Sequence, residues 1–263
     1  MQQEVQSKIV KIGELDVHYF TCGDGEPLVV IHGGGNGARS WKRNMAELAR
    51  SYTVYVPDLP GFGHSQALTG EYYIPELVDF VDRFSDNLGL EKFHLMGHSL
   101  GGAIALSYAL KFPQKITKLV LVSSMSLGKD IALWVRFFSL PAFCRSVGRA
   151  VIAVLKVVKW VADLLIAPVE FILPISPTSV YLGSSLTTLK QQTTVLMHRL
   201  SEILMPTLIV WGARDPILPV KHAYAAAQLI PDCRVKVFDG CGHSVYRERV
   251  PEFSRTLTGF LGE

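Results

Sequence analysis

The sequence predicts an α/β protein with a mostly parallel central sheet and helices on both faces. Short aliphatic runs recur along the chain, as expected of strands that are buried on both faces. Segments whose apolar residues recur every three or four positions separate these runs, which is typical of amphipathic helices. The 263 residues, 49% of them hydrophobic, suit one ordinary α/β domain or two small ones with enough chain for a core.

The predicted elements follow one another in the order of a doubly wound sheet. Residues 8–13 and 15–20 are strand-like runs divided at Gly13 and Glu14, which predicts a hairpin. Residues 28–31 form the first continuous aliphatic strand. The later predicted strands are 52–56, 93–96, 118–122, 207–211 and 235–238, and the predicted helices are 41–50, 77–88, 100–112, 220–229 and 251–261.

The regular alternation stops after the strand at 118–122. We interpret residues 126–201 as an insertion between two strands, so that residues 1–125 and 202–263 form the core. The insertion contains the most apolar stretch of the chain, at about 131–175. A membrane-spanning helix needs about 20 nearly uncharged residues. The charged side chains of Lys156, Lys159 and Asp163 interrupt the stretch and Pro168 breaks it, so we expect no span.

Charge and cysteine content argue against several classes of protein. The 26 Lys and Arg residues and 23 Asp and Glu residues give a net charge of +3, which is too small an excess to indicate nucleic-acid binding. The four cysteines are scattered without a C-x-x-C pair, which fits free thiols in a reducing compartment. The N-terminal segment is polar and lacks the apolar core of a signal peptide. We therefore expect a cytoplasmic protein.

A candidate nucleophile follows the predicted strand at 93–96. Gly97-His98-Ser99-Leu100-Gly101 fits the pattern G-x-S-x-G, which needs a strand before it and a helix after it because the turn is sharp. The predicted strand and the predicted helix at 100–112 provide that context. Glycines beside the serine let the backbone turn without Cβ clashes. We expect Ser99 to lie exposed at the carboxyl end of a central strand.

A serine hydroxyl needs a base, and the base needs a carboxylate. His243 follows the last predicted strand and precedes the last helix, so it should lie at the same sheet edge as Ser99. Asp215 comes just after the strand at 207–211, giving the chain order Ser, Asp, His. Asp58 and Asp130 follow other strands and are alternative carboxylates.

The tetrahedral oxyanion of acyl transfer needs two N–H donors. Leu100 follows the nucleophile and should supply one at a helix N-terminus. The glycine loop after the strand at 28–31 should supply the other, with Gly34 as first choice and Gly35 as second. His32 should brace this loop, whereas His98 should point away from Ser99. No phosphate-binding pattern occurs and the other histidines lack metal-cluster spacing, so we expect no metal and no cofactor.

These motifs together resemble the α/β-hydrolase superfamily over nearly the whole chain outside the insertion. The resemblance is based on Ile31-His32-Gly33-Gly34-Gly35 with Trp41, Asp58-Leu59-Pro60-Gly61-Phe62-Gly63-His64-Ser65, Gly97-His98-Ser99-Leu100-Gly101-Gly102, Trp211-Gly212-Ala213-Arg214-Asp215 and Gly242-His243. It implies an α/β-hydrolase fold with a Ser99, Asp215 and His243 triad. Dehalogenase and epoxide-hydrolase branches have an aspartate at the elbow, so Ser99 argues against both.

The resemblance also implies that the insertion is a helical cap whose residues select the substrate. If the segment around 145–163 is helical, Arg145, Arg149, Lys156, Lys159 and Asp163 share an arc of roughly 80°. The rest of that surface is apolar. The cap should pack on the core, wall an apolar acyl-binding tunnel, or also dock on a membrane or lipid surface. Trp134, Phe137, Phe138 and Phe143 are the candidate substrate-binding residues.

The sequence therefore favours a capped serine hydrolase that cleaves carboxylic esters of apolar, lipid-like acids, a carboxylesterase or lipase type of enzyme. One alternative is a carbon–carbon bond hydrolase of meta-cleavage products, which the stretch from His32 to Ala38, with Trp41 and Asn44, also resembles. That branch usually has Asn where this chain has His98 and Trp where it has Ser244. The other alternative is a ligand-binding, receptor-like member with little turnover.

Overall fold

An eight-stranded sheet forms the centre of the computed structural model, which describes residues 4–35, 37–68, 73–138 and 191–263. The strands are β1 Gln6–Ile12, β2 Leu15–Cys22, β3 Glu26–Ile31, β4 Tyr52–Pro57, β5 Phe93–His98, β6 Ile116–Val122, β7 Thr207–Gly212 and β8 Cys233–Phe238. Their order in the sheet is β1-β2-β4-β3-β5-β6-β7-β8. Strand β2 runs antiparallel to β1 and β4, and all the other pairs are parallel. This is the mostly parallel sheet that the sequence predicts.

Helices cover both faces of the sheet. The described helices are α1 Lys42–Leu48, α2 Ile74–Asn87, α3 Leu100–Lys111, α4 Leu133–Phe138, α5 Lys221–Ala227, α6 Val245–Glu248 and α7 Val250–Leu261. Alternate residues of β3 belong to different cores because successive side chains of a strand point to opposite faces. Val29 and Ile31 pack with α2, α3 and α5, whereas Leu28 and Val30 pack with α1 and α7.

Most predicted elements are present, with shifts at their ends. The predicted hairpin is confirmed, since Ile12 pairs with Leu15 across the turn. Helix α2 begins at Ile74 rather than at 77, because the Glu76 carboxylate accepts a hydrogen bond from the Tyr73 N–H at 3.1 Å and so caps the extra turn. The helix predicted at 41–50 is a 3₁₀ turn, Ala38–Trp41, followed by the shorter α1.

The predicted interruption lies between β6 and β7, where the structure describes α4 and a 3₁₀ turn, Met197–Glu202. Its two ends meet at the buried Gln192 side chain. Gln192 Oε1 accepts the Ser126 N–H at 3.0 Å, and Nε2 donates to the carbonyls of Gly128 and Asp130 at 2.8 and 3.1 Å. Residues 139–190, most of the expected cap, lie outside the described residues, so the cap and its boundaries stay a prediction.

No described helix combines the length and the apolar character that crossing a bilayer requires.

Candidate active site

Ser99 occupies a sharp turn between β5 and α3. Its backbone has φ 53° and ψ −113°, a conformation that non-glycine residues adopt only when their surroundings impose it. The Ser99 N–H donates to the Val122 carbonyl at 3.0 Å, and its own carbonyl accepts from the N–H groups of Gly102 and Met125, each at 3.0 Å. The end of β6 and the first turn of α3 thus hold the serine in a partly exposed position.

The glycines of the motif are needed because the chain packs against itself beneath the serine. A Cβ on Gly97 would overlap the Gly101 carbonyl, and a Cβ on Gly101 would overlap the Ile31 carbonyl. The turn is therefore the tight strand–turn–helix that the motif predicts.

The aspartate and histidine expected beside Ser99 form a hydrogen-bonded pair. His243 Nδ1 lies 2.8 Å from Asp215 Oδ2, with the aspartate side chain 0% and the histidine 13% exposed. Asp215 Oδ1 accepts from the N–H groups of Ile217 and Leu218 at 2.8 and 3.0 Å. Because the carboxylate only accepts, the proton of the neutral ring is on Nδ1, which leaves His243 Nε2 free to accept. Nε2 has no hydrogen-bond partner among the described residues.

Hydrogen bonds to its neighbours set the charge state of Asp215. Burial by itself raises the pKa of this carboxyl, but the hydrogen bond and charge of His243 and the Leu218 and Ile217 N–H groups outweigh burial and hold that pKa below its usual value. Asp215 is therefore ionised at neutral pH, as a partner of an imidazolium must be.

Backbone bonds connect the loops that carry the aspartate and the histidine. The Ala213 N–H donates to the Phe238 carbonyl at 3.0 Å, and the Arg214 N–H donates to the Cys241 carbonyl at 2.9 Å. Since β7 and β8 are parallel neighbours, their carboxyl ends lie at one edge of the sheet, as the carboxyl end of β5 does.

The alternative carboxylates lie elsewhere. Asp130 forms an ion pair with Lys221, with 2.7 Å between Oδ2 and Nζ. Asp58 is paired with His18 rather than with His243, at 2.7 Å between Oδ2 and Nδ1. Geometry therefore leaves Asp215 as the carboxylate that contacts the candidate base.

Gly34 and Leu100, the candidate oxyanion donors, have N–H groups that donate no hydrogen bond within the described residues. Gly34 is partly exposed and Gly35 is exposed. A Cβ on either glycine would meet nothing within 4 Å, so both border open space. Their geometry is compatible with the oxyanion role, which stays a prediction for all three residues.

His32 braces the glycine loop. Its Nδ1 donates to the Gly33 carbonyl at 2.6 Å, and its Nε2 accepts the Leu59 N–H at 2.9 Å. Burial lowers the pKa of His32 against the smaller opposing effects of Asp58 and the Gly33 carbonyl. The neutral His32 ring therefore links the glycine loop to the segment that follows β4 through two hydrogen bonds.

The other end of the glycine loop is held by Asp58, a role that the sequence did not reveal. Its Oδ1 accepts the Ala38 N–H at 2.7 Å and its Oδ2 accepts the His64 N–H at 3.2 Å. Cβ atoms on Gly37 and Gly63 would overlap the carboxylate. The D-x-P-G-x-G-x-S pattern was a possible signal, since its second glycine, Gly63, lets the backbone approach the Asp58 carboxylate closely.

Asp58 also belongs to a second hydrogen-bonded series of Ser, His and Asp. Ser7 Oγ lies 2.9 Å from His18 Nε2, and His18 Nδ1 contacts Asp58. His18 is a residue for which the sequence suggested no role.

The candidate substrate-binding residues are only partly described. Trp134, on α4, is 52% exposed, and the neighbouring Leu133 is 72% exposed. The side chains of Phe137 and Phe138, and all of Phe143, lie outside the described residues. The substrate-binding role of all four residues therefore stays a prediction. Within the described ranges, no group of three or more His, Cys, Asp or Glu side chains is placed to hold a metal ion.

Comparisons with known proteins agree with the fold. The family model described as alpha/beta hydrolase fold matches residues 26–147 and 171–250. A 2-hydroxy-6-oxo-6-phenylhexa-2,4-dienoate hydrolase from Comamonas testosteroni is 30% identical over 97% of this chain and 96% of its own.

Two solved structures share the fold at lower identity. A bacterial membrane phospholipase A is 24% identical with a TM-score of 0.74, over 98% of this chain and 86% of its own. A carboxylesterase from Bacillus subtilis is 19% identical with a TM-score of 0.75, over 98% and 92%. Because the family model covers well over half of the sequence, the chain is a hydrolase of the α/β hydrolase fold family.

Proposed function

We propose that the protein is a serine hydrolase that cleaves carboxylic esters of apolar, lipid-like acids through an acyl-enzyme. The observation that carries the proposal is the Asp215–His243 hydrogen bond at the sheet edge where Ser99 occupies its strained turn. A buried carboxylate that fixes the tautomer of a histidine, at the same sheet edge as a serine at a helix N-terminus, fits the arrangement that activates a hydroxyl.

In the proposed reaction, Ser99 Oγ attacks the ester carbonyl carbon while His243 Nε2 takes the hydroxyl proton. Asp215 stabilises the imidazolium, and the N–H groups of Leu100 and Gly34 bind the oxyanion. The tetrahedral intermediate collapses as the C–O bond breaks and the imidazolium protonates the leaving alcohol. A water molecule that gives its proton to His243 then hydrolyses the acyl-Ser99 ester, which releases the acid and restores the serine.

The apolar character of the substrate is inferred from the insertion. Residues between 131 and 175 are the most apolar part of the sequence, and the described start of the insertion exposes Leu133 and Trp134. A carboxylesterase and a membrane phospholipase A among the structural neighbours support ester chemistry on this fold. Contact of the insertion with a lipid surface belongs to the same proposal.

A p-nitrophenyl ester series of increasing acyl length tests the proposal. We expect turnover to rise from acetate to longer chains and Ser99→Ala to reduce kcat by about 10⁶-fold. Ser7→Ala is the matched control because Ser7 also contacts a His–Asp pair, and it should keep wild-type turnover. A fluorophosphonate should label Ser99 alone. Full hydrolysis by Ser99→Ala would refute the assignment.

Carbon–carbon bond hydrolysis is the second candidate, because the Comamonas relative is named for a dienoate that it hydrolyses. This reaction needs a polar clamp for the substrate carboxylate, for which Arg145 and Arg199 are candidates. Arg199 is already bound to Glu202 through two hydrogen bonds of 2.7 and 3.0 Å, and Arg145 lies outside the described residues. Cleavage of simple esters without turnover of 2-hydroxy-6-oxo-6-phenylhexa-2,4-dienoate would dismiss this candidate, and the reverse would replace the ester proposal.

A further inference from the structure

His98, the residue before Ser99, is directed away from the serine and toward the loop that carries the base. Its side chain is buried, and its Nε2 lies 2.9 Å from the main-chain carbonyl oxygen of His243. A carbonyl only accepts, so Nε2 carries the proton and donates. Nδ1 is then the unprotonated nitrogen, and it has no hydrogen-bond partner among the described residues.

The surroundings of His98 fix the orientation of its ring. The ring centroid lies 4.8 Å from that of His243 and 4.9 Å from that of Tyr246, which it meets edge to face. Tyr246 in turn stacks on Trp41 at 3.9 Å, and its carbonyl accepts a hydrogen bond from Asn44 Nδ2 at 3.0 Å. Helix α1 and the turn before it thus support the ring from behind.

The opposite side of the His98 ring borders the glycine loop. A Cβ on Gly33 would come within 2.8 Å of His98 Nδ1, so the ring fills the space against that backbone. His98 therefore contacts the base loop and the loop of the candidate oxyanion donor, and it precedes the nucleophile in the chain.

The His98 ring contacts both loops as an uncharged group. Burial, with a smaller contribution from the neighbouring His243 ring, lowers the pKa of His98 to about 3. A neutral ring does not repel the imidazolium that forms on His243 during the proposed reaction.

We propose that His98 is a positioning residue that holds His243 in line with Ser99. It acts by donating Nε2–H to the His243 carbonyl and by filling the space between Gly33 and Tyr246. This inference depends on the proposed function, because it assigns a role within the same site. A displacement of about 1 Å between reacting groups costs about 100-fold in rate, and the hydrogen bond prevents that displacement.

Two substitutions of nearly equal shape distinguish the effect of the His98–His243 hydrogen bond from the effect of side-chain packing. His98→Gln keeps an N–H donor at about the reach of Nε2, whereas His98→Met fills similar space without a donor. We expect His98→Met to lower kcat about 100-fold with KM within twofold of wild type, and His98→Gln to recover at least tenfold of that loss. The rate of fluorophosphonate labelling of Ser99 should fall in the same proportion as kcat. Circular dichroism and the thermal midpoint show whether each variant is folded.

The outcomes are distinguishable from failure of the proposed function. If wild type is not labelled at Ser99, the serine hydrolase proposal fails. If wild type is labelled and folded His98→Met reacts as fast, or if His98→Gln is no better than His98→Met, the positioning role is refuted. His98→Leu is a second apolar variant. Loss of folding in both apolar variants, with His98→Gln folded, would assign His98 to stability and also overturn the proposal.

Discussion

The Asp215–His243 pair and the Asp58–His18 pair are built from the same groups but differ at the second ring nitrogen. The distances are nearly equal, 2.8 and 2.7 Å. His18 Nε2 contacts Ser7 at 2.9 Å, and the His18 side chain is only 4% exposed. His243 Nε2 has no hydrogen-bond partner within the described residues, and its side chain is 13% exposed. Among the described residues, His243 therefore keeps a ring nitrogen without a hydrogen-bond partner, whereas both ring nitrogens of His18 have one.

The two serines differ as much as the histidines do. Ser7 lies in the regular antiparallel ladder of β1 and β2, opposite Phe20. Ser99 lies on a strained turn at the N-terminus of α3, where the N–H of Leu100 is unpaired within the described residues. We therefore expect the Ser7 series to be non-catalytic, because a nucleophile also needs donors aimed at the developing oxyanion.

Exchange of each histidine for glutamine gives the largest expected contrast. His243→Gln removes the proposed base and should lower kcat by about 10⁶-fold. His18→Gln removes a buried contact of Asp58 and should act mainly on the thermal midpoint. Ester kinetics and thermal unfolding of both variants check this. A comparable kcat loss in folded His18→Gln would mean that the Asp58–His18 pair also takes part in the reaction.

Removal of the carboxylate charges gives the next largest effects. Asp215→Asn leaves the proposed base without the partner that fixes its tautomer, so kcat should fall about 10⁴-fold. Asp58→Asn weakens the buried hydrogen bonds that the carboxylate accepts from His18 and the glycine loop, so the free energy of unfolding should fall by about 2–3 kcal/mol. Ester kinetics measure the loss of kcat in each variant, and urea titrations measure the loss of unfolding free energy. Equal kcat losses without a stability difference would contradict the division of roles.

The smallest expected effect is a loss of folding stability at acid pH. It should come from His98, which contacts the His243 loop. The pKa of His98 is lowered to about 3 in the folded protein, below the unfolded value near 6.5. Its contribution to stability is therefore complete above pH 6.5 and is lost as the pH falls from 6.5 toward 3. His98→Gln should lose about one proton from the pH slope of the unfolding free energy in this window. Urea unfolding between pH 7 and pH 4.5 measures the slope, and an unchanged slope would contradict the assignment.

Local patterns predict the central strands well because these strands are buried on both faces. The runs at 28–31 and 118–122 lie within β3 and β6, and the helix predicted at 100–112 agrees with α3 to one residue at its end. The start of α1 was predicted less well. Trp41 belongs to a 3₁₀ turn and stacks on Tyr246, and a contact between residues so far apart in sequence leaves no periodic signal.

The histidines show the same limit within the site. His243 could be proposed from its place after the last strand, because the sheet order fixes where the chain returns to the edge. His98 and His18 could not be interpreted in this way. Their partners, His243 and Asp58, are 145 and 40 positions away in the sequence, and no motif of fixed spacing connects them.

The sequence by itself determined the fold family and the order Ser99, Asp215, His243 along the chain. Aliphatic strands, tight glycine turns and residues placed just after strands are local properties, and parallel strands bring their carboxyl ends to one edge. Only the tertiary structure decided which aspartate contacts His243, that Asp58 holds the glycine loop, and that His98 faces the base loop. Those facts depend on ring orientation and on distances between segments remote in sequence, which packing alone determines.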